Sequence, residues 1–491
     1  MLFAFFEYLR QQIFLRKLNS GLGMIVLALI AVVVAGVGAL IHQLLGVAIA
    51  AVMFGIVVLA ICITRPLAGF YITMFIGCFA FYPQRIVDRY LPISIASEVL
   101  IFAVYLGVLL KKKREPADKA LYLAPSTLAM LIFLGFCLVE VFNPNMYSLL
   151  GWFLYTKRFL EMILIYFIAF KLIDDMDKVR AFVKFWFVMS VIIALYTCKQ
   201  QWFGFFGFEM HYLMSDPRLY ILYFQGGEWR KFGFLSDPAA LGIEMASAAV
   251  FVLILGMGEP NKRKKWWYFA SVLPIILAME YTGTRTATFV ILGGIVFYIM
   301  MTFNQKQTFV LMILATLVFF GLLFAPVDNP TLNRFRSTFR GSQEGSLEIR
   351  NINRHRIQPY IYSHPMGGGP MTSATEGLIY NPGHPLAGFP PDSGFLKLAI
   401  ETGWTGFGIT MVSYLLFICQ GVDYYFKARN PEIRTYILAF TSGIVIYILA
   451  QYTQVAIGQF PGIYFFYPGA ALLIRLMQLE KTATHINYIK T

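Results

Sequence analysis

The side chains best suited to chemistry in this chain are arginines. Arg334, Arg336, Arg340, Arg350, Arg354 and Arg356 crowd the stretch 327–394, which has no lysine. Arg218, Arg230 and Lys231 lie in a second stretch, 200–236, and Arg285 stands in the turn Tyr281-Thr282-Gly283-Thr284-Arg285 between two apolar runs. A guanidinium is a planar fork that grips carboxylate or phosphate through two hydrogen bonds and keeps its charge in a poorly hydrated site. The set therefore suits a phosphorylated or acidic ligand. The alternative is local pairing with acids such as Glu344 and Glu348, or with lipid headgroups. Glu280 is near enough in sequence to pair with Arg285.

The neighbours of these arginines read as shaped chain. Arg230-Lys231 precedes Asp237-Pro238, an N-cap followed by proline in the first helical turn. Residues 345–363 have helical apolar spacing and predict a surface helix. His364-Pro365-Met366-Gly367-Gly368-Gly369-Pro370 predicts a turn in which His364, Gly367 and Gly368 set the backbone path, and 371–391 predicts an irregular flap. The glycine run lacks the Gly-Lys-Ser/Thr ending of a phosphate loop. Asp392 or Ser393 predicts the cap of the next helix, with Lys397 and Glu401 spaced to pair one turn on. No carboxylate or histidine pair at metal-ligand spacing occurs in these stretches, so neither a metal nor a cofactor is expected. Asp175-Met176-Asp177 reads as a solvated turn.

The elements that must position these groups are membrane helices. Of 491 residues, 58% are hydrophobic, 17% aromatic and only 13% charged, where soluble domains carry about 25% charge. That excludes soluble domains, disorder and a disulfide scaffold. The five cysteines all lie in apolar stretches and form no paired motif. The fold expected is an all-α polytopic membrane protein of roughly twelve to fourteen spans. They are 22–40, 45–63, 66–83, 92–110, 122–142, 158–173, 180–199, 237–257, 266–283, 286–303, 308–326, 395–419, 434–455 and 458–477. An interfacial helix over 1–21 precedes them, 200–236 and 327–394 form the long outer loops, 395–478 holds the last spans and 479–491 is a tail. Lys111-Lys112-Lys113-Arg114, Lys262-Arg263-Lys264-Lys265 and Lys427 to Arg434 fall on alternate loops, which puts those loops and both termini in the cytoplasm. The net charge of +14 thus divides into a lysine-rich part that orients the chain and an arginine-rich part on the other side.

In their order, the pieces of 225–415 resemble the O-antigen ligase and polymerase superfamily of bacterial envelope glycosyltransferases. They are Arg230, Gly233 and Pro238; Gly283-Thr284-Arg285; Arg350 ahead of His364-Pro365-Met366-Gly367-Gly368; and Asp392-Ser393 leading to Glu401, Gly403 and Gly406. The resemblance implies a metal-independent transfer at the periplasmic face of the bacterial inner membrane. The donor would be a glycan on undecaprenyl diphosphate. The acceptor hydroxyl would belong to a lipid A core, a glycan or a protein, and nucleic acid is not implied as a partner. Arg230, Lys231, Arg285 and Arg350 would hold the diphosphate. Family ligases carry His-Asn where this chain has Asp392-Ser393, so the implied base is Asp392, or else His384 from the flap. That departure keeps polymerase open beside ligase. A transporter or flippase of lipid-linked oligosaccharide is the reading of another class, with Glu161 and Glu244 as intramembrane acids.

Overall fold

The computed structural model describes residues 43–87, 93–111, 117–225, 227–324, 326, 333, 336 and 345–490. The predicted interfacial helix and first span, 22–40, lie outside these residues, as do Arg334 and Arg340. The other predicted spans fall on helices, those over 66–83 and 395–419 with a break, and among the described residues seven helices are long and apolar enough to cross a membrane. The chain is a mostly helical, multi-pass membrane protein.

Two units divide it. The first is Met1–Ile76 with Ser94–Arg114. Here α1 (Gln43–Thr64), α2 (Pro66–Cys78) and α4 (Ile93–Lys111) follow one another, with α3 (Tyr82–Val87) between the last two belonging to the second unit. A Cβ at Gly107 would stand 2.6 Å from the Ile63 carbonyl oxygen, so α4 passes α1 at backbone contact. Small residues permit such approach where no hydrophobic effect drives helices together. The span predicted over 66–83 is interrupted, because α2 stops at Cys78 and a turn precedes α3.

The second unit is Gly77–Ile93 with Glu115–Thr491. It contains α5 (Ala117–Tyr122), α6 (Pro125–Val139), α7 (Leu149–Leu172), α8 (Met176–Trp202), α9 (Gly207–Ser215), α10 (Pro217–Tyr223), α11 (Pro238–Gly258), α12 (Lys262–Tyr281), α13 (Arg285–Thr302) and α14 (Lys306–Phe324). After these come α15 (Gly345–Ser363), α16 (Ala374–Tyr380), α17 (Gly394–Lys427), α18 (Pro431–Ala450) and α19 (Ile463–Lys490). A two-stranded antiparallel hairpin pairs β1 (Phe224–Gln225) with β2 (Glu228–Trp229).

α11 is the central helix, with 89% of its apolar window buried, against 6% for α14, whose side chains are left for lipid. Its sequence is rich in Ala, Gly and Ser, and this lets α8, α12, α13 and α18 pack round it. At Gly242 a Cβ would meet Thr282, Thr284 and Ala287. This contact sets the turn that carries Arg285 directly against the start of α11.

Tracing the helices gives the bundle two ends. One end, called here the loop end, carries 204–236, the 282–284 turn, 345–393 and 451–462. The other carries the lysine-rich turns, where Lys171 pairs with Asp118 at 2.5 Å, Arg180 with Glu432 at 2.7 Å and Lys427 with Asp423 at 2.7 Å. Asp175 caps α8 there by accepting from the Lys178 amide at 2.8 Å, and Asp177 pairs with Arg180, as a solvated turn should.

Candidate functional site

The loop end is built on backbone carbonyls held by cations. Arg230 emerges from β2 and spends its fork on the turn between α12 and α13. Its Nε donates to the Thr282 carbonyl at 2.8 Å and an Nη to Thr284 Oγ1 at 3.0 Å. Thr284 Oγ1 in turn donates to the Pro238 carbonyl at 2.9 Å, at the start of α11. Arg285 follows as the exposed first residue of α13. The two predicted arginines therefore meet at one turn. Lys231 is buried: its ammonium donates to the Trp229 carbonyl at 2.6 Å and lies 5.1 Å from the Phe205 ring centre.

The basic pair is anchored by a residue that sequence reasoning missed. Arg85, 1% exposed, donates to the carbonyls of Gly233, Leu235 and Ser236 and lies 4.2 Å from the centre of the Phe232 ring. Glu209, also buried, accepts from Tyr196, Gln200 and the Phe206 amide. The aromatic residues of 205–232 stack on one another, Phe205 on Phe232 at 5.4 Å among them. Asp237 caps α11 as expected, accepting from Ala239 and Ala240.

The glycine turn is fixed by a break in α17. Gly403 has φ 63°, and this splits the helix into a short piece before it and the long span after it, where one continuous span over 395–419 was expected. The break exposes carbonyls that Gly368 and Gly369 then bond: Gly368 N to Ile400 O at 2.8 Å and Gly369 N to Glu401 O at 2.9 Å. Gly367, with φ 71°, sits against Glu401 and Gly403 so closely that a Cβ would strike their backbone at 2.5 to 2.6 Å. Gly367 and Gly368 thus lie at the closest approach of the turn to α17. His364 Nδ1–H donates to the Tyr360 carbonyl at 2.9 Å, with its ring stacked on Tyr360 at 3.9 Å. Asn143 and Asn145, just past α6, hold the Met366 and Gly367 carbonyls at 3.0 and 2.9 Å.

The flap is closely packed rather than loose. It contains α16, and its return strand bonds Ala374 to Phe389 and Gly388. Leu386, Asn381 and Ser373 are wholly buried, since the glycines and prolines let the chain turn in on an apolar cluster with Ile357, Ile361 and Ile400. His384 is inside it. Leu386 N donates to its Nδ1 at 3.1 Å and its Nε2–H donates to the Asn145 carbonyl at 3.1 Å, so both ring nitrogens are engaged. Burial lowers its pKa. Ser393, not Asp392, caps α17, accepting from Leu396 N at 3.3 Å. The half-buried Asp392 has no hydrogen-bond partner among the described residues. The expected Lys397–Glu401 pair does not form. Lys397 reaches Glu376 of the flap, and Glu401 accepts from Ser373, because the flap packs across that face of the helix.

The two halves of the site share the turn after α18. Thr286 bonds Thr453 at 2.7 Å from the Arg285 side, while Ser393 donates to Gln451 O at 3.0 Å and Gly394 N to Gln454 O at 3.2 Å from the Asp392 side. Arg354 of α15 also reaches this turn, donating to Tyr452 Oη at 3.2 Å. Arg350 lies on α15 one turn earlier. Below the turn, a cavity of about 380 Å³ is lined by Arg158, Glu376, Lys397 and Glu401 among others, and Arg230, Arg285 and Asp392 are not among its lining residues. Arg158 and Glu376, 3.2 Å apart, were not singled out from sequence. The available signal for Arg158 was an ionisable group inside an apolar stretch.

A helical membrane protein with cations gathered on rigid turns at one end is thus defined. Residues 270–411 match the family model described as O-antigen ligase. The matched stretch is less than a third of the chain and takes in Arg285, His364, Asp392 and Glu401 but not Arg230. Comparison with curated proteins finds no match.

Proposed function

We propose that the protein transfers a glycan from undecaprenyl diphosphate to an acceptor hydroxyl at the loop end, facing the periplasm. The observation that carries this reading is the Arg230 fork fastened to the turn that leads directly into Arg285. The acceptor oxygen attacks the anomeric carbon, and the carbon–oxygen bond to the diphosphate breaks. The diphosphate leaves with the bonding electrons, and the acceptor proton passes to a base. Negative charge grows on the leaving group, and cations fixed before the reaction stabilise it there without reorganising. Arg285 faces that charge, Arg230 and Lys231 set its turn and add to the positive field, and Arg350 on α15 is the third arginine.

Asp392 is the base in this reading. It precedes the cap, so its carboxylate is not consumed by the helix terminus. His384, the other candidate base, is held inside the flap with both ring nitrogens engaged by Asn145 and Leu386, which favours Asp392. The bond made is the same whether the hydroxyl belongs to a lipid A core, a growing glycan or a protein. The test is transfer by purified protein supplied with lipid diphosphate glycan and candidate acceptors. Arg285→Ala should lower turnover by about a hundredfold or more, the usual cost of one transition-state donor. Asp392→Asn should do likewise at normal protein level. Wild-type turnover in both variants would refute the assignment, and movement of the lipid across vesicles without product would favour a transporter.

A further inference from the structure

The cavity beneath the 451–459 turn has a composition that the diphosphate chemistry does not need. Its two cations are already committed: Arg158 and Lys397 both bond Glu376, one to each carboxylate oxygen. With Glu401 the formal charges cancel, two positive against two negative. An anion entering here would have to displace Glu376 from both partners. Ion pairs of this kind, broken without replacement, leave uncompensated charge.

Glu401 supplies the positive indication. The residue is 1% exposed and one carboxylate oxygen takes the Ser373 hydroxyl and amide. The other, Oε2, is buried with no hydrogen-bond partner among the described residues. A buried acceptor left unpaired keeps its full desolvation penalty, so a donor from a ligand would be rewarded. The lining also includes the aromatic rings of Phe133, Phe159 and Tyr467. The size, about 380 Å³, falls in the range of small-molecule sites. A ring bearing several hydroxyls on one side and C–H groups on the other meets all these demands. Gly394, two residues past Asp392, is among its lining residues.

We propose that this cavity is a sugar subsite, in which Glu401 accepts a hydroxyl and the aromatic lining takes the ring face. It deepens the transferase reading by holding a glycan next to Asp392, and it rests on that reading for its place in the reaction. The shared chemistry is a polyhydroxylated ring, from the donor chain or from the acceptor.

The test uses full-length protein in lipid nanodiscs and two probes: the glycan freed from its lipid diphosphate by mild acid, and the acceptor that supports transfer, given without donor. At least one should bind saturably. Glu401→Gln, which puts an amide donor where the acceptor was, should weaken binding about tenfold or more. Leu398→Trp, which fills the cavity without touching its charges, should do the same. Inorganic diphosphate should not compete, and Arg285→Ala should bind the lipid-free glycan normally although its turnover is lowered. The responding probe tells donor sugar from acceptor sugar. Binding of neither probe, displacement by diphosphate, or full binding by both cavity variants would overturn the subsite. Loss of transfer activity in the wild type with glycan binding intact would instead count against the transferase reading alone.

Discussion

Arg85 illustrates how a single side chain shapes the loop end from a distance. Its charge is met by the carbonyls of Gly233, Leu235 and Ser236 and by two ring faces. Arg85→Met should therefore strand these carbonyls and lower stability by about 3 kcal/mol or more, read as a fall in melting temperature with loss of transfer. Arg230→Lys makes the complementary case. A lysine keeps the charge but is a point donor, unable to hold Thr282 and Thr284 together, so turnover should fall steeply with little change in melting. His384 sets a pH limit. Burial keeps its imidazole below the usual value of about 6.5, so the folded chain stays neutral there while the unfolded chain takes up a proton. Stability is full above that pH and declines as pH falls below it. Melting temperatures from pH 7 to 5 should show the slope, and His384→Asn should flatten it. Arg230, Arg285 and the capping pair were legible because they sit in short motifs. Arg85, Glu209 and Arg158 were not, because each acts through a partner far away in sequence, such as Glu376 for Arg158.

At the scale of elements, the site depends on α17 failing to be one helix. Hydropathy reads 395–419 as continuous, since a break of one residue leaves the apolar pattern almost unchanged. The signal was Gly403 itself, the first of three glycines within six residues of a helical pattern. Its left-handed φ is disfavoured for any side chain, and a Cβ there would run into the Pro365 carbonyl. Gly403→Ala should consequently release the Gly367–Gly369 turn from α17. Limited proteolysis in 371–391 should then become faster and transfer should drop, while α17 beyond the break keeps its helicity. Unchanged cleavage and activity would show that the break is incidental. The flap was read as irregular for a related reason: its buried Leu386, Met371 and Asn381 are spread among turn residues and show no period until the chain has folded back.

The whole molecule separates two kinds of positive charge, and this gives its orientation a test. Lysine-rich turns such as Lys262-Arg263-Lys264-Lys265 lie at one end of the second unit, and Arg230, Arg285 and Arg354 at the other. Lysine in short loops marks the cytoplasmic side. Arginines held on carbonyls and turns do not report topology, because the fold fixes them where they stand. The loop end should therefore face the periplasm, where a lipid diphosphate glycan would be met. Cys62, Cys78, Cys137 and Cys198 are buried and Cys419 is exposed, so a Cys419→Ser background silences the native thiols. In that background Thr375→Cys, exposed on α16, should react with a membrane-impermeant maleimide in intact spheroplasts. Lys264→Cys, exposed at the opposite end, should react only after permeabilisation. The reverse pattern would place the arginine turns in the cytoplasm, remove them from any periplasmic donor, and sink the proposed reaction whatever the cavity binds.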